Sequence, residues 1–132
     1  MKYILMMSGT KAGFESWTKW SKEDLRANAA FMRAFSKELT ESGVLVSTRG
    51  LAFPGEAKLV RAGSSGEPIT DGVFPESKEF LAGYWIIEVE NAEQAYKIAA
   101  LASAAPGPGG KPGSIPVEVR QVIERLPEEL LR

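Results

Sequence analysis

The side chains of this protein that could carry chemistry gather in one stretch. Between Thr70 and Glu79 stand Asp71, Glu76, Lys78 and Glu79, arranged around Gly72 and Pro75. Paired carboxylates beside an apolar strand can separate in pKa and act as acid and base, and Asp71 and Glu76 are the candidate catalytic pair. An aspartate before a glycine has a structural use as well, because it accepts hydrogen bonds from its own downstream amides and fixes the turn. Lys78, and Arg49 from further upstream, can hold an anionic ligand or pair with the acids. Tyr84, Glu88, Arg120 and Ser8 complete the polar candidates.

What is missing narrows the chemistry further. The 132 residues contain no histidine and no cysteine. The commonest general base and transition-metal ligand are gone, and so are thiolate nucleophiles and disulfides. No Ser-His-Asp or Cys-His arrangement can be built. No oxygen-ligand spacing of the EF-hand type is present, so neither metal nor cofactor is expected. Any proton transfer must fall to Asp71, Glu76 or Tyr84, whose ordinary pKa values lie far from neutrality. Binding a small molecule is therefore the stronger expectation than turnover. The formal net charge is -1, with no long block of one sign, which argues against nucleic acid as a partner. No apolar run is long enough to span a bilayer, and residues 2–7 are too short for a signal segment, so no membrane partner and a cytoplasmic location are expected.

The elements that must position these groups follow from periodicity. Lys2–Met7 reads as a central strand. Residues 8–13 read as a loop, and Phe14, Trp17 and Trp20 follow it before the first helix. Those three aromatics could lid the core, make a dimer contact or form one wall of a ligand site. Ser21 is placed to cap a helix whose apolar face is Leu25, Ala29, Met32, Phe35 and Leu39, with Phe31 widening it and Gly43 ending it. Val44–Leu51 alternates as a strand, with Val44, Val46 and Thr48 on one side and Leu45, Ser47 and Arg49 on the other. Ala57–Arg61 and Pro68–Thr70 flank a hairpin loop, with Pro68 suited to an edge. Tyr84–Val89 is a buried strand. Asn91 caps a second helix with Gln94 at the capping-box position, and Ala92, Ala95, Tyr96, Ala99 and Ala102 form its small face. Residues 106–114 form a flexible Pro/Gly loop inside one domain that covers 1–132. Residues 115–122 are the last strand, with Val117, Val119 and Gln121 on one face, and 127–132 is a tail holding at most one helical turn.

This order, β-α-β-β-(short β)-β-α-β, is that of an α+β, ferredoxin-like fold: an antiparallel sheet with two helices on one face. The other face would be bare. Val44, Val46, Val117 and Val119 suggest apolar surface beyond what two helices can cover, and a second copy is a physical way to cover it.

The same stretch carries a resemblance. Asp71-Gly72-Val73-Phe74 with Glu76-Ser77-Lys78-Glu79 resembles the DGPF signature of the DGPF-domain proteins, a branch of the YCII-related family. Val73, Pro75 and Ser77 replace that signature's Pro, Ala and Thr. Gly83-Tyr84, Ile86–Val89 and the opening Met1–Met7 follow the family pattern, and the similarity runs to about Val122. The resemblance implies a dimeric α/β-barrel protein: a homodimer whose sheets meet face to face with a cleft beside each. It implies a regulatory accessory linked to an extracytoplasmic-function sigma factor. Lyase-like members of the wider family resemble one another in a His–Asp pair, and this chain has no histidine. The enzymatic alternative is then a lyase or isomerase using Asp71 and Glu76 instead. The ligand site is expected among Asp71, Arg49, Lys78, Tyr84, Phe14, Trp17 and Trp20.

Overall fold

The first strand and the strand before the second long helix make the centre of the molecule. In the computed structural model the described residues are 1–71 and 74–132. β1 (Lys2–Thr10) pairs antiparallel with β5 (Glu79–Glu88) on one side and with β6 (Val117–Gln121) on the other, and β2 (Leu45–Gly50) closes the far edge against β5. The order β2-β5-β1-β6 is that of a ferredoxin-like sheet, open rather than closed into a barrel. β3 (Leu59–Ala62) and β4 (Pro68–Asp71) form a separate two-stranded ribbon, the expected hairpin.

Two helices cover one face of the sheet. α2 (Lys22–Glu41) begins where Ser21 Oγ accepts a hydrogen bond from the Asp24 amide at 3.0 Å, and it stops before Gly43, whose φ of 76° best suits a residue without Cβ. α3 (Ala92–Ser103) begins at Asn91, whose Oδ1 accepts from the Gln94 amide at 2.9 Å while Gln94 accepts from the Glu90 amide. The core lies between these helices and the sheet. Tyr3, Leu5, Trp85 and Ile87 meet Phe35 and Leu39 from α2 and Ala95, Ala99 and Ala102 from α3. Leu5 and Ile87 are wholly enclosed. The three alanines let α3 approach β1 and β6 closely; Tyr96, expected on the same face, is exposed.

Several expectations need correction. Ser8–Thr10 continues β1 rather than starting a loop, and Lys11–Thr18 is a helix, α1, capped by Thr10 Oγ1 on the Gly13 amide. The alternation expected for β2 breaks at Val46, where an irregularity shifts the register: Leu45 packs toward the helices, whereas Ser47 stands opposite Ile86. A bulge between Met7 and Ser8 likewise leaves Ala82 of β5 without an opposite residue. The valines expected on the bare face are elsewhere. Val44, Val117 and Val119 pack against the helix-side core, and Val46 is exposed at the irregularity. Val117 and Val119 still share a face with Gln121, as expected, because they stand opposite Met7, Leu5 and Tyr3.

The Pro/Gly stretch, expected as a flexible loop, is knitted to the first long helix. Asn28 Nδ2 donates to the Pro106 carbonyl at 3.0 Å, and the Gly109 amide donates to Asp24 Oδ1 at 3.3 Å. The tail carries one short 3-10 turn at Glu128–Leu130. Among the described residues no helix is long and apolar enough to cross a membrane.

Candidate functional site

Cross-strand partners share a face of a sheet, so the register lays out the uncovered side row by row. Arg49, Tyr84, Met6 and Glu118 stand side by side across β2, β5, β1 and β6. The next row is Ser47, Ile86, Ile4 and Arg120, and one step further Glu88 stands beside Lys2. Ile4, Met6, Tyr84 and Ile86 are half-buried by their own neighbours and lie outside the helix-side core. Arg49, Glu118 and Arg120 are exposed, and Arg120 meets Glu118 at 3.8 Å. Arg49 donates to the carbonyl of Thr48 at 2.6 Å. Two candidate ligand-binding residues, Arg49 and Tyr84, are thus direct neighbours. Gly83 makes that possible, because a Cβ there would stand 3.0 Å from the Arg49 carbonyl oxygen.

At the corner of this face the Met1 ammonium lies 2.9 Å from Glu88 Oε2. The hydrogen bond from that ammonium holds the Glu88 carboxyl below the usual carboxylate range; slight desolvation opposes it, and the charges of the ammonium and Lys2 assist. Stability from a depressed carboxylate pKa is present above the unfolded-state value and disappears as pH falls through the folded-state one. An NMR titration of the Glu88 carboxyl should therefore show a midpoint below that of an unpaired glutamate. Acetylating the Met1 amine should return it toward the ordinary value.

The aromatics gather on a different support. Phe53, in the segment after β2, is their hub. It meets Phe14 edge-on at 6.1 Å and Trp17 edge-on at 5.6 Å, and Trp17 in turn meets Trp20 at 6.4 Å. Phe14 and Trp17 project from α1 three residues apart, one helical turn, so both rings reach the same neighbour. Beside Phe53 lies a cleft of about 300 Å³ lined by Leu51, Ala52, Phe53, Pro54, Ala57, Phe80 and Leu81, with Glu56 as its charged lining residue. The Leu51 amide donates to the Ala82 carbonyl at 2.8 Å, which ties the first wall to β5. Lys78 Nζ stands over the Phe80 ring, 5.6 Å from its centroid, and Phe74 meets Phe80 edge-on at 5.1 Å.

The expected site residues therefore fall into three groups. Arg49 and Tyr84 lie on the uncovered sheet face. Phe14 and Trp17 meet Phe53 of the cleft, Trp20 stands behind Trp17, and Lys78 lies over the Phe80 ring. Asp71 ends β4 opposite Leu59, and Glu76 lies in the turn whose Lys78 amide donates to the Pro75 carbonyl; both acids are exposed. Among the described residues no hydrogen bond or ion pair joins Asp71 to Glu76, or either acid to Arg49 or Tyr84. The turn at Gly72-Val73, which Asp71 was expected to fix, lies outside the described residues. Among the described residues no group of three carboxylates is placed to hold a metal ion. Leu51, Phe53 and Phe80 were not among the expected site residues. Phe53-Pro54-Gly55 reads as a strand breaker, and only the excess of exposed aromatic surface around it could have marked it as a wall.

No curated protein matches the chain. A family model does, that of the YCII-related domain, over residues 1–110. The match takes in β1 through α3, with the sheet rows of β1, β2 and β5 and every wall of the cleft, and the chain belongs to the YCII-related family.

Proposed function

We propose that this protein binds a small aromatic acid or phenol in the cleft beside Phe53, as a homodimer, and does not turn it over. The cleft carries the reading: a concave, mainly apolar lining with a few charges at its edge is the usual make-up of a ligand site. Phe53, Phe80 and Leu81 suit a flat apolar body, and the Lys78 ammonium over Phe80 suits an anionic or carbonyl end. The homodimer is supported by the apolar centres of two adjacent uncovered rows, Tyr84 with Met6 and Ile86 with Ile4. Binding is preferred to carboxylate-based lyase or isomerase chemistry because the chain has no histidine, and Asp71 and Glu76 are solvent-exposed with no hydrogen bond or ion pair joining them among the described residues. Such binding fits a regulatory accessory to a sigma factor, the role that the resemblance of residues 71–79 to the DGPF signature implies.

Tryptophan fluorescence tests the reading, since Trp17 packs on Phe53. Titration with a panel of small phenols and aromatic carboxylic acids should quench emission saturably. Phe53→Ala should weaken this by about tenfold or more, the scale of a lost aromatic wall. Lys78→Ala should weaken the acids more than the neutral phenols. If quenching persists unchanged in Phe53→Ala, the ligand sits elsewhere.

A further inference from the structure

The cleft beside Phe53 has an acid on one wall and a base against the other, and that selects what a ligand there must carry. We propose that Glu56 sets the specificity of this site: it accepts a hydrogen bond from a hydroxyl or amino group at one end of an aromatic acid whose carboxylate lies toward Lys78. This rests on the ligand reading above and narrows it to molecules that carry both groups.

The backbone holds Glu56 in place. It ends the 3-10 turn Pro54–Glu56, in which the Glu56 amide donates to the Phe53 carbonyl at 3.1 Å and the Ala57 amide to the Pro54 carbonyl at 2.9 Å. Pro54 fixes the entry to that turn and is itself buried. Side chains three apart in such a turn stand on one side, and Phe53 and Glu56 both line the cleft. One short turn thus sets both the aromatic wall and the carboxylate. Among the described residues neither Glu56 nor Lys78 enters an ion pair.

The second wall is Phe80 with Leu81, and Lys78 Nζ stands 5.6 Å from the Phe80 ring centroid. A ligand carboxylate placed at Glu56 meets a like charge, whereas at Lys78 it meets an opposite one. The acid end is thereby directed to Lys78. The other end then faces a group that only accepts, because an ionised carboxylate has no proton to donate. A hydroxyl or an amine satisfies it; an ether or a second carboxylate does not. A cleft of about 300 Å³ is at the small end of ligand sites, which suits one ring with two short substituents. A site that hydrogen-bonds a hydroxyl also rejects the analogue lacking it more strongly than an apolar wall rejects a change of size.

Isothermal titration calorimetry on the full chain tests this with para-hydroxybenzoate, para-methoxybenzoate, benzoate, terephthalate and phenol. Para-hydroxybenzoate should bind about fivefold or more tightly than para-methoxybenzoate, the scale of one hydrogen bond to an exposed charge. Terephthalate, with an acid at both ends, should bind worst. In Glu56→Ala the advantage of the hydroxyl should vanish and terephthalate should rise to the level of benzoate. Retained benzoate binding in that variant shows that it is folded. Lys78→Ala should weaken all the acids alike and leave the preference for the hydroxyl in place. Equal affinities for the hydroxy and methoxy acids, or a preference that survives Glu56→Ala, overturns the role of Glu56 while the Phe53 cleft still stands as a ligand site. If none of the five compounds binds, the ligand reading falls and this inference falls with it.

Discussion

Trp85→Ala should be the most damaging of the substitutions considered for the fold. The indole is buried at the middle of β5, packs edge-on against Phe35 at 5.4 Å, and donates from Nε1 to Ser36 Oγ at 3.3 Å. Truncation removes the largest core side chain of the central strands and leaves a cavity that both helix and sheet must collapse into. Changes of this kind cost about 3–5 kcal/mol. A domain holds only about 5–15 kcal/mol in all, so the melting temperature should fall by about 10–20 °C. Trp85→Phe keeps most of the apolar volume and loses the hydrogen bond, and about 1–2 kcal/mol is expected. Thermal melts followed by far-UV circular dichroism separate the two. Equal losses for both variants would mean that the hydrogen bond to Ser36, not the packing, holds this corner.

Ala102→Leu should come next, by the opposite mechanism. Ala102 is wholly enclosed where α3 meets the sheet, so added methylenes have no space, and overpacking of this sort costs about 1–3 kcal/mol. Ala99 provides the comparison. It is nearly as buried, but it borders a groove of about 280 Å³ shared with Tyr96, Ser103, Val117 and Val119. Ala99→Leu can grow into that groove and should cost less than about 1 kcal/mol, because apolar area is gained there without displacing the sheet. Chemical denaturation of the two variants decides the matter. If Ala99→Leu proves the worse, α3 is held at its Ala99 turn rather than at Ala102.

The parts of the fold legible in the sequence were those with local causes. Ser21 and Asn91 mark helix starts because their side chains accept from the amides three residues on, Gln94 because it accepts from the Glu90 amide four residues back, and Gly43 marks a stop because a glycine takes the left-handed turn most readily. The order of strands and helices then leaves few topologies. What escaped has non-local causes. α1 buries none of its residues and includes Gly13, so its apolar pattern is faint; only Thr10 and the Phe14–Trp17 spacing mark it. The irregularities at Val46 and Ala82 depend on the partner strand, and each shifts which side chains face the helices. That is why Val46 misled; Val117 and Val119, whose register with β1 is regular, face the helices because their partners Met7 and Leu5 do, and Ile4, Met6 and Ile86 take the other side. Of the candidate residues, Arg49 and Tyr84 stand side by side across β2 and β5, and Phe14, Trp17 and Trp20 make a chain of ring contacts with Phe53. Phe53, which both Phe14 and Trp17 meet, is not marked by the sequence, because nothing in a Phe-Pro-Gly triplet shows what its ring will touch. Asp71 and Glu76 were singled out by residue type, which does not reveal exposure.

The placement of β1 between β5 and β6 has a consequence for how the protein is made. Both of its neighbours are synthesised long after it. At about 5–20 residues per second, the 68 residues between Thr10 and Glu79 occupy the ribosome for about 3–14 s. During that interval Tyr3-Ile4-Leu5-Met6-Met7 is an uncharged, strand-prone segment with both edges unpaired, the type that seeds intermolecular β-assembly. Lys2 before it and Lys11 after it are the nearest charges. They act as gatekeepers on the nascent chain, so neutralising both should raise the insoluble fraction on rapid expression while leaving the folded state nearly as stable.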